Sequence, residues 1–145
     1  MRAPYQILAI PFRLGKQITY CVLHRSDCDQ WQFVAGGGED GESHIETAIR
    51  EISEEVGVRN AIVTKLTSSA YIPVNVIGES LRTHWSQDIY VIPEYHFAFE
   101  CKDEVLLSHE HDDYRWLTYD EAVKILHWDS NRTALYEINQ RLLAK

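Results

Sequence analysis

One segment of this chain, Gly36–Val58, joins a run of glycines to a predicted helix with three closely spaced glutamates. It reads GGGEDGESHIETAIREISEEVGV. Glu51, Glu54 and Glu55 stand at positions i, i+3 and i+4, so a helix brings their carboxylates together within one turn. Like charges at this spacing weaken an isolated helix, and a divalent cation would relieve the repulsion.

The same segment predicts where the helix begins and ends. Ser43 is a suitable N-cap, which places the first helical residue near Ser43 or His44. Gly57 fits the position that follows the last helical residue. At about 100° per residue, one apolar face is predicted to contain Ile45, Ile49, Ile52 and Val56, with Ala48 at its edge.

Clustered glutamates have two interpretations. The common one is a solvated acidic helix face, and the other is a metal site, because Mg²⁺ prefers carboxylate, water and phosphate oxygens. The neighbouring residues favour the metal site. Gly36 and the two glycines after it allow a tight turn close to a metal or phosphate. Glu42 could reach the metal or brace the loop, and Arg50 could orient a glutamate or contact a phosphate.

The spacing of these residues also matches a known pattern. The positions that match the Nudix box are Gly36, Glu42, Arg50, Glu51, Ile52, Glu54, Glu55, Gly57 and Val58. The chain therefore resembles the Nudix hydrolases. That resemblance implies an α+β fold, a Nudix-type α/β/α sandwich with a mixed β-sheet, and a length of 145 residues suits one domain over 1–145. It also implies hydrolysis of a diphosphate bond with Mg²⁺, or alternatively Mn²⁺.

Segments outside the box narrow the resemblance. Leu107–His111, Tyr114–Leu117 and Trp128–Asn131 are similar to bacterial dihydroneopterin triphosphate diphosphatases, also described as dATP pyrophosphohydrolases. This implies a nucleoside or pterin triphosphate as substrate and a monophosphate plus pyrophosphate as products. Two alternatives stay open. One is a hydrolase of other (d)NTPs or nucleoside diphosphate derivatives, and the other is a noncatalytic Nudix-like binding module, although such modules often lack box glutamates.

The resemblance assigns roles to individual residues. The implied metal ligands are Gly36, Glu51, Glu54, Glu55 and Glu110, and the implied catalytic residues are the same four glutamates with Arg50. The general base is expected to be Glu51, Glu55 or Glu110. Outside the box, Glu110 could equally be an exposed loop acid. His109 and His111 flank it but are left out of the metal set, because hard oxygen ligands suit Mg²⁺ better.

The implied substrate-binding residues are Arg2, Arg25, Ala35 and Ser130. Arg25 follows an apolar strand and could reach a phosphate or remain solvated. Ser130 could contact substrate or cap a helix. Ala35 replaces a hydroxyl-bearing residue of the group, which affects the choice of substrate. Three aromatic residues, Trp31, Tyr71 and Trp85, are candidates for stacking on a base or pterin, although each is more often a core or rim residue.

Strands and helices alternate along the rest of the chain. Strands are predicted at Tyr5–Phe12, Ile18–Arg25, Trp31–Ala35, Ala61–Val74, Ile89–Cys101 and Tyr114–Leu117. A break is predicted at Pro93, and a loop over the site at Asn75–Gln87. A capping box at Thr118 predicts a helix through about Leu126, and a last helix is predicted from Asn131 to Leu143.

Composition limits the partners and the compartment. The net charge of −8 disfavours a nucleic-acid polymer or an anionic membrane, and leaves a small-molecule triphosphate as the expected partner. No apolar stretch reaches membrane-spanning length. Cys21, Cys28 and Cys101 are scattered, which favours reduced thiols and a cytoplasmic location. The oligomeric state is not predicted by any of these features.

Overall fold

The computed structural model describes residues 1–145 and contains one seven-stranded sheet and three α-helices. The strands are β1 (Arg2–Arg13), β2 (Thr19–Arg25), β3 (Trp31–Gln32), β4 (Val34–Glu39), β5 (Val63–Pro73), β6 (Val91–Glu100) and β7 (His111–Leu117). The helices are α1 (His44–Val56), α2 (Tyr119–Ile125) and α3 (Asp129–Leu143). The predicted strands and helices are therefore present, with boundaries that shift by a few residues.

The sheet is mixed, as predicted, and β1 lies at its centre. β1 pairs parallel with β6 and antiparallel with β2 and β4. β5 extends the sheet beyond β6, while β3 and β7 both pair with β2. β4 leads into α1, so this pairing holds the N-terminal end of that helix beside the first half of β1.

Alternate residues of β1 face two separate cores. Ile7 and Ala9 pack against α1, whereas Leu8 and Ile10 pack on the opposite face, against α2 and α3. Side chains of a strand point alternately to the two faces of its sheet, so both faces of β1 are covered by helices. This arrangement confirms the predicted α/β/α sandwich.

The capping residues of α1 confirm the predicted ends of that helix. Ser43 Oγ accepts a hydrogen bond from the backbone N–H of Glu46, and the Glu46 side chain accepts one from the N–H of Ser43. Gly57, with φ of 76°, closes the other end. The predicted apolar face was wrong in part, because Ile45 is 49% exposed. The buried residues are Thr47, Ala48, Glu51, Ile52, Glu55 and Val56.

Two predictions about backbone shape were also wrong. Gly36 and Gly37 lie within β4, paired with β1, and the chain turns only afterwards at Asp40 and Gly41. Pro93 does not break β6, because pairing of β6 with β1 starts one residue later, at Glu94. Only β5 flanks the strand at Pro93, a position at which a sheet tolerates proline.

The C-terminal helices follow the predicted pattern with one shift. Thr118 and Glu121 form the predicted capping box of α2. α3 begins at Asp129, before the predicted Asn131, and its N-cap is Trp128. Ser130 therefore lies in the first turn of α3 and does not act as its cap. None of the three helices has both the length and the apolar character needed to cross a membrane.

Candidate active site

A cavity of about 550 Å³ opens beside the first half of β1. Its walls come from strands β1, β2, β3, β4, β5 and β6, from Glu51 of α1, from the segment that leads into β7 and from the start of α3. Two short 3₁₀ turns follow β5, at Val74–Val76 and Glu79–Leu81, and this segment contributes Val76, Ile77 and Leu81 to the wall. The volume lies within the usual range for small-molecule sites. The segment predicted as a loop over the site thus does border it.

Glu51 of α1 lines this cavity, and Glu55 is buried beside it, next to the cavity-lining residues Glu110 and His111. Glu55 is 1% exposed, and neither of its carboxylate oxygens has a hydrogen-bond partner. Burial, the adjacent Glu51 carboxyl group and the charge of Glu110 raise the pKa of Glu55 well above its usual value. Burial also raises the pKa of Glu51. Since an unpaired buried carboxylate is costly, this arrangement requires a proton or a cation to be stable.

A histidine completes the cluster around Glu55. One ligand atom each from Glu55, Glu110 and His111 lies within 4.8 Å of the other two. His111 is 5% exposed, its two ring nitrogens have no partner, and its Nδ1 lies 3.8 Å from Glu55 Oε1. Burial lowers the pKa of His111 to about 4, which keeps the ring neutral at pH 7. The unpartnered oxygens and nitrogens together fit a divalent cation.

His111 was excluded from the predicted metal ligands, and the structure places it beside them. Strand β7 begins at His111 and pairs it with Arg25 of β2, whereas the sequence predicted a strand only from Tyr114. A strand extended to position 111 would have turned this side chain inward. Glu54, in contrast, is 58% exposed and faces Arg50 at 3.3 Å, outside the cavity wall.

Arg50 holds the carboxylates and the glycine strand in place. Its Nε and Nη2 donate to Glu42 at 2.7 and 3.0 Å, and Nη2 also donates to the carbonyl oxygen of Gly37 at 2.9 Å. Its Nη1 donates to Glu51 Oε1 at 2.9 Å. These bonds lower the pKa of Glu42 to about 2. With its donors used in this way, Arg50 orients Glu51 and leaves phosphate contacts to other residues.

The glycines of β4 leave room for two side chains that face the cavity. A Cβ atom on Gly36 would overlap the carboxylate of Glu51, and one on Gly37 would overlap the guanidinium group of Arg2. Glycine is therefore required at these two positions because side chains approach the backbone closely there. The sequence had predicted a different reason, a tight turn.

The guanidinium group of Arg2 packs against this glycine strand at Gly37. Its Nε and Nη2 atoms are buried without hydrogen-bond partners, and burial lowers the pKa of its guanidinium group. The backbone carbonyl oxygen of Arg2 accepts hydrogen bonds from His84 Nε2 at 2.7 Å and Trp85 Nε1 at 2.8 Å. These two hydrogen bonds connect the segment after β5 to β1. They do not involve the guanidinium group, whose unpartnered N–H groups can donate to a ligand.

The other three predicted substrate-binding residues also line the cavity. Arg25 donates to both carboxylate oxygens of Asp27, at 2.8 and 2.6 Å, which leaves its Nη1 free of that pair. Ala35 contributes a small apolar surface. Ser130 Oγ accepts a hydrogen bond from Asn131 Nδ2 at 3.3 Å.

The aromatic residues proposed for stacking lie elsewhere. Trp31 packs under the guanidinium group of Arg115, 4.5 Å from its carbon, and Tyr71 is 70% exposed. Trp85 contacts Arg2 but does not reach the cavity wall. Trp128, just before α3, does line the cavity and is the aromatic residue positioned to contact a ring there.

Comparisons with known proteins show the family to which this chain belongs. A family model described as the NUDIX domain matches residues 5–138. The bis(5'-nucleosyl)-tetraphosphatase (asymmetrical) of Sus scrofa is 33% identical over 129 residues, which are 86% of this chain and 81% of that protein.

Two solved structures resemble the whole chain. A protein described as a NUDIX hydrolase from Listeria monocytogenes has a TM-score of 0.85 and 44% identity, covering 98% of this chain and 96% of its own. The Escherichia coli dihydroneopterin triphosphate pyrophosphohydrolase has a TM-score of 0.76 and 25% identity, covering 95% of this chain and 97% of its own.

Proposed function

This chain belongs to the Nudix hydrolases, enzymes that act on phosphorus-containing acid anhydrides, and we propose that it cleaves a diphosphate bond of a nucleoside or pterin triphosphate. The products would be the monophosphate and pyrophosphate. The observation that carries this proposal is that unpartnered polar atoms of opposite charge lie at the cavity wall, on Arg2, and next to that wall, on Glu55. Glu55 has carboxylate oxygens without partners, and Arg2 has guanidinium N–H groups without partners. A divalent cation and a polyphosphate would satisfy both.

Glu51, Glu55 and Glu110 would hold the cation, which we propose to be Mg²⁺ with Mn²⁺ as a substitute. Glu54 and the carbonyl oxygen of Gly36 complete the proposed ligand set, although Glu54 would first have to turn away from Arg50. When bound, the cation neutralises phosphate charge and lowers the pKa of water. The residues beside it support this role, because Arg50 fixes Glu51 and Gly36 leaves room for the Glu51 carboxylate.

The side chains of this chain would supply the remaining steps. Arg2 would donate Nε–H and Nη2–H to phosphate oxygens, and Arg25 would donate from Nη1. One carboxylate of Glu51, Glu55 or Glu110 would accept the proton of the attacking water. Ala35, Ser130 and the apolar residues after β5 would enclose the rest of the substrate.

Within this reaction class we propose dihydroneopterin triphosphate or dATP as the substrate. The support is the similarity to the E. coli pyrophosphohydrolase across nearly the whole of both chains. A dinucleoside tetraphosphate is a second candidate, supported by 33% identity to the pig tetraphosphatase. Both candidates are small molecules, and a cytoplasmic location remains a prediction.

Product analysis by ³¹P NMR in H₂¹⁸O tests this proposal. Dihydroneopterin triphosphate, dATP, 8-oxo-dGTP, ADP-ribose and a dinucleoside tetraphosphate would be compared with Mg²⁺ and with EDTA. We expect pyrophosphate from a triphosphate, and loss of the reaction in EDTA. The Glu51→Gln variant should keep its fold and lose kcat by orders of magnitude. Orthophosphate as the first product, slow turnover of every triphosphate, or an unaffected variant would each contradict the proposal.

A further inference from the structure

A buried chain of hydrogen bonds ends at the cavity wall, away from the glutamates of α1. Gln6 Nε2 donates to Glu94 Oε2 at 2.7 Å, and Glu94 Oε1 lies 2.9 Å from His96 Nε2. His96 Nδ1 is in turn 3.0 Å from Ser68 Oγ. Glu94 is 3% exposed and His96 is fully buried, so this carboxylate is held rigidly.

Gln6 and Glu94 both line the cavity, and the sheet places them beside the proposed phosphate site. Gln6 of β1 is paired with Gly37 on one side and with Glu94 on the other. Since neighbouring strands are about 4.8 Å apart, the Glu94 Cα lies roughly 10 Å from the Cα of Gly37, over which Arg2 packs. A ring attached beyond the first phosphate and sugar of a substrate would lie over this pair.

The pair presents mainly acceptors to a ligand. Each Glu94 oxygen accepts one hydrogen bond and retains a free lone pair. Gln6 uses one of its two N–H groups, and its Oε1 atom takes part in no hydrogen bond within the protein. Gln32 and Asn131 are the other two amides of the wall, and Asn131 is committed elsewhere, because its Oδ1 accepts the backbone N–H of Phe33 at 2.9 Å. Gln6 with Glu94 is therefore a second acceptor-rich part of this wall, separate from the carboxylates of Glu51 and Glu110.

Such a surface suits a ring edge with adjacent N–H donors. The 2-aminopyrimidinone ring that guanine and pterins share has a ring N–H beside an exocyclic amine, and a carboxylate can accept from both. Hypoxanthine has the ring N–H but lacks the amine. Adenine presents an unprotonated ring nitrogen, which would face the carboxylate as acceptor against acceptor.

We infer that Glu94, held by Gln6 and His96, binds the 2-aminopyrimidinone edge of the substrate and makes this hydrolase selective for pterin or guanine compounds over adenine compounds. The inference rests on the proposed function for the position of the triphosphate. It deepens that proposal by choosing the pterin substrate over dATP.

Binding of nucleoside monophosphates tests the inference without requiring hydrolysis. Calorimetry in Mg²⁺ would give the Kd of dGMP, dIMP and dAMP, where dGMP and dIMP differ only in the 2-amino group. We expect the protein to bind dGMP about tenfold to a hundredfold more tightly than dIMP, the range for a hydrogen bond to a charged group. In Glu94→Gln, the ratio of the two Kd values should fall close to one. Glu100→Gln, the same change at an exposed position of β6, should leave it unchanged.

Gln6→Leu provides a second test in which Glu94 is retained. This variant should lower the ratio of the dIMP Kd to the dGMP Kd by less than Glu94→Gln does. Equal Kd values for dGMP and dIMP in the unaltered protein would overturn the inference, as would an unchanged ratio in a folded Glu94→Gln variant. If that variant does not fold, the unaltered protein and Gln6→Leu decide the matter. A preference for dGMP in a protein that hydrolyses no triphosphate would reject the proposed function alone.

Discussion

The carboxylate of Glu51 occupies the space beside Gly36 in which any other residue would carry its Cβ atom. We therefore expect Gly36→Ala to displace Glu51 from the cluster while β4 remains paired. The displaced carboxylate should weaken Mn²⁺ binding by about tenfold or more, at the low end for disturbed metal sites. Gly15→Ala is the matched control, because a Cβ there meets nothing closer than 3.7 Å. Equal Mn²⁺ affinity in the two variants would show that this contact is unimportant.

The raised pKa of Glu55 predicts how stability changes with pH in the metal-free protein. Because the folded-state pKa lies above the usual 4.5, the stabilising contribution is complete below about pH 4.5 and is lost as the pH rises through the raised value. Gln at position 55 cannot ionise, so Glu55→Gln avoids this loss. In denaturant unfolding, its free energy of unfolding should therefore exceed that of the unaltered protein, and the difference should grow as the pH rises toward 8. Parallel profiles for the two proteins would contradict the assignment.

Arg2 is expected to act on the substrate and not on the metal. Its buried, unpartnered N–H groups should bind phosphate oxygens, so Arg2→Met should lower kcat/KM for triphosphates by about tenfold to a hundredfold. Mn²⁺ affinity should not fall. Arg59→Met, at an exposed position, serves as the control. A variant that loses Mn²⁺ binding but keeps its KM would reverse the proposed role.

His111 should extend the range of metals that the cluster binds. Imidazole nitrogen suits Ni²⁺ better than Mg²⁺, and the unpartnered Nδ1 of His111 lies 3.8 Å from Glu55 Oε1. His111→Phe keeps a buried ring and should weaken Ni²⁺ binding on the order of tenfold, with a smaller effect on Mg²⁺. His109→Phe, two residues earlier in the chain and at an exposed position, should change neither affinity. Equal losses for both metals would indicate that His111 only supports the packing.

The features predicted correctly from the sequence depend on neighbours along the chain. The Ser43 cap, the Gly57 helix end and the gathering of Glu51 and Glu55 all follow from spacing within one helix. The rotation of α1 about its axis does not follow from this spacing, because packing against the sheet determines which face of the helix is buried. That face includes Glu51 and Glu55 and leaves Ile45 exposed.

The residues that sequence reasoning missed depend on pairing between distant strands. Gln6 and Glu94 meet only through the parallel register of β1 and β6, which no local pattern specifies. His111 faces Glu55 only because β7 begins three residues before the predicted strand. The predicted turn at Gly36 was wrong for a similar reason, since the space beside Gly36 is filled by the Glu51 side chain, which comes from α1.

Binding of a divalent cation by the buried glutamates of α1 underlies every role proposed for this site. Titration of the metal-free protein with Mn²⁺, followed by electron paramagnetic resonance of the free ion, tests it most directly. We expect the unaltered protein and the exposed-site control Glu104→Gln to bind Mn²⁺ alike. A folded Glu51→Gln, Glu55→Gln double variant should lose that binding, and Mn²⁺ affinity equal to that of the unaltered protein would contradict the account.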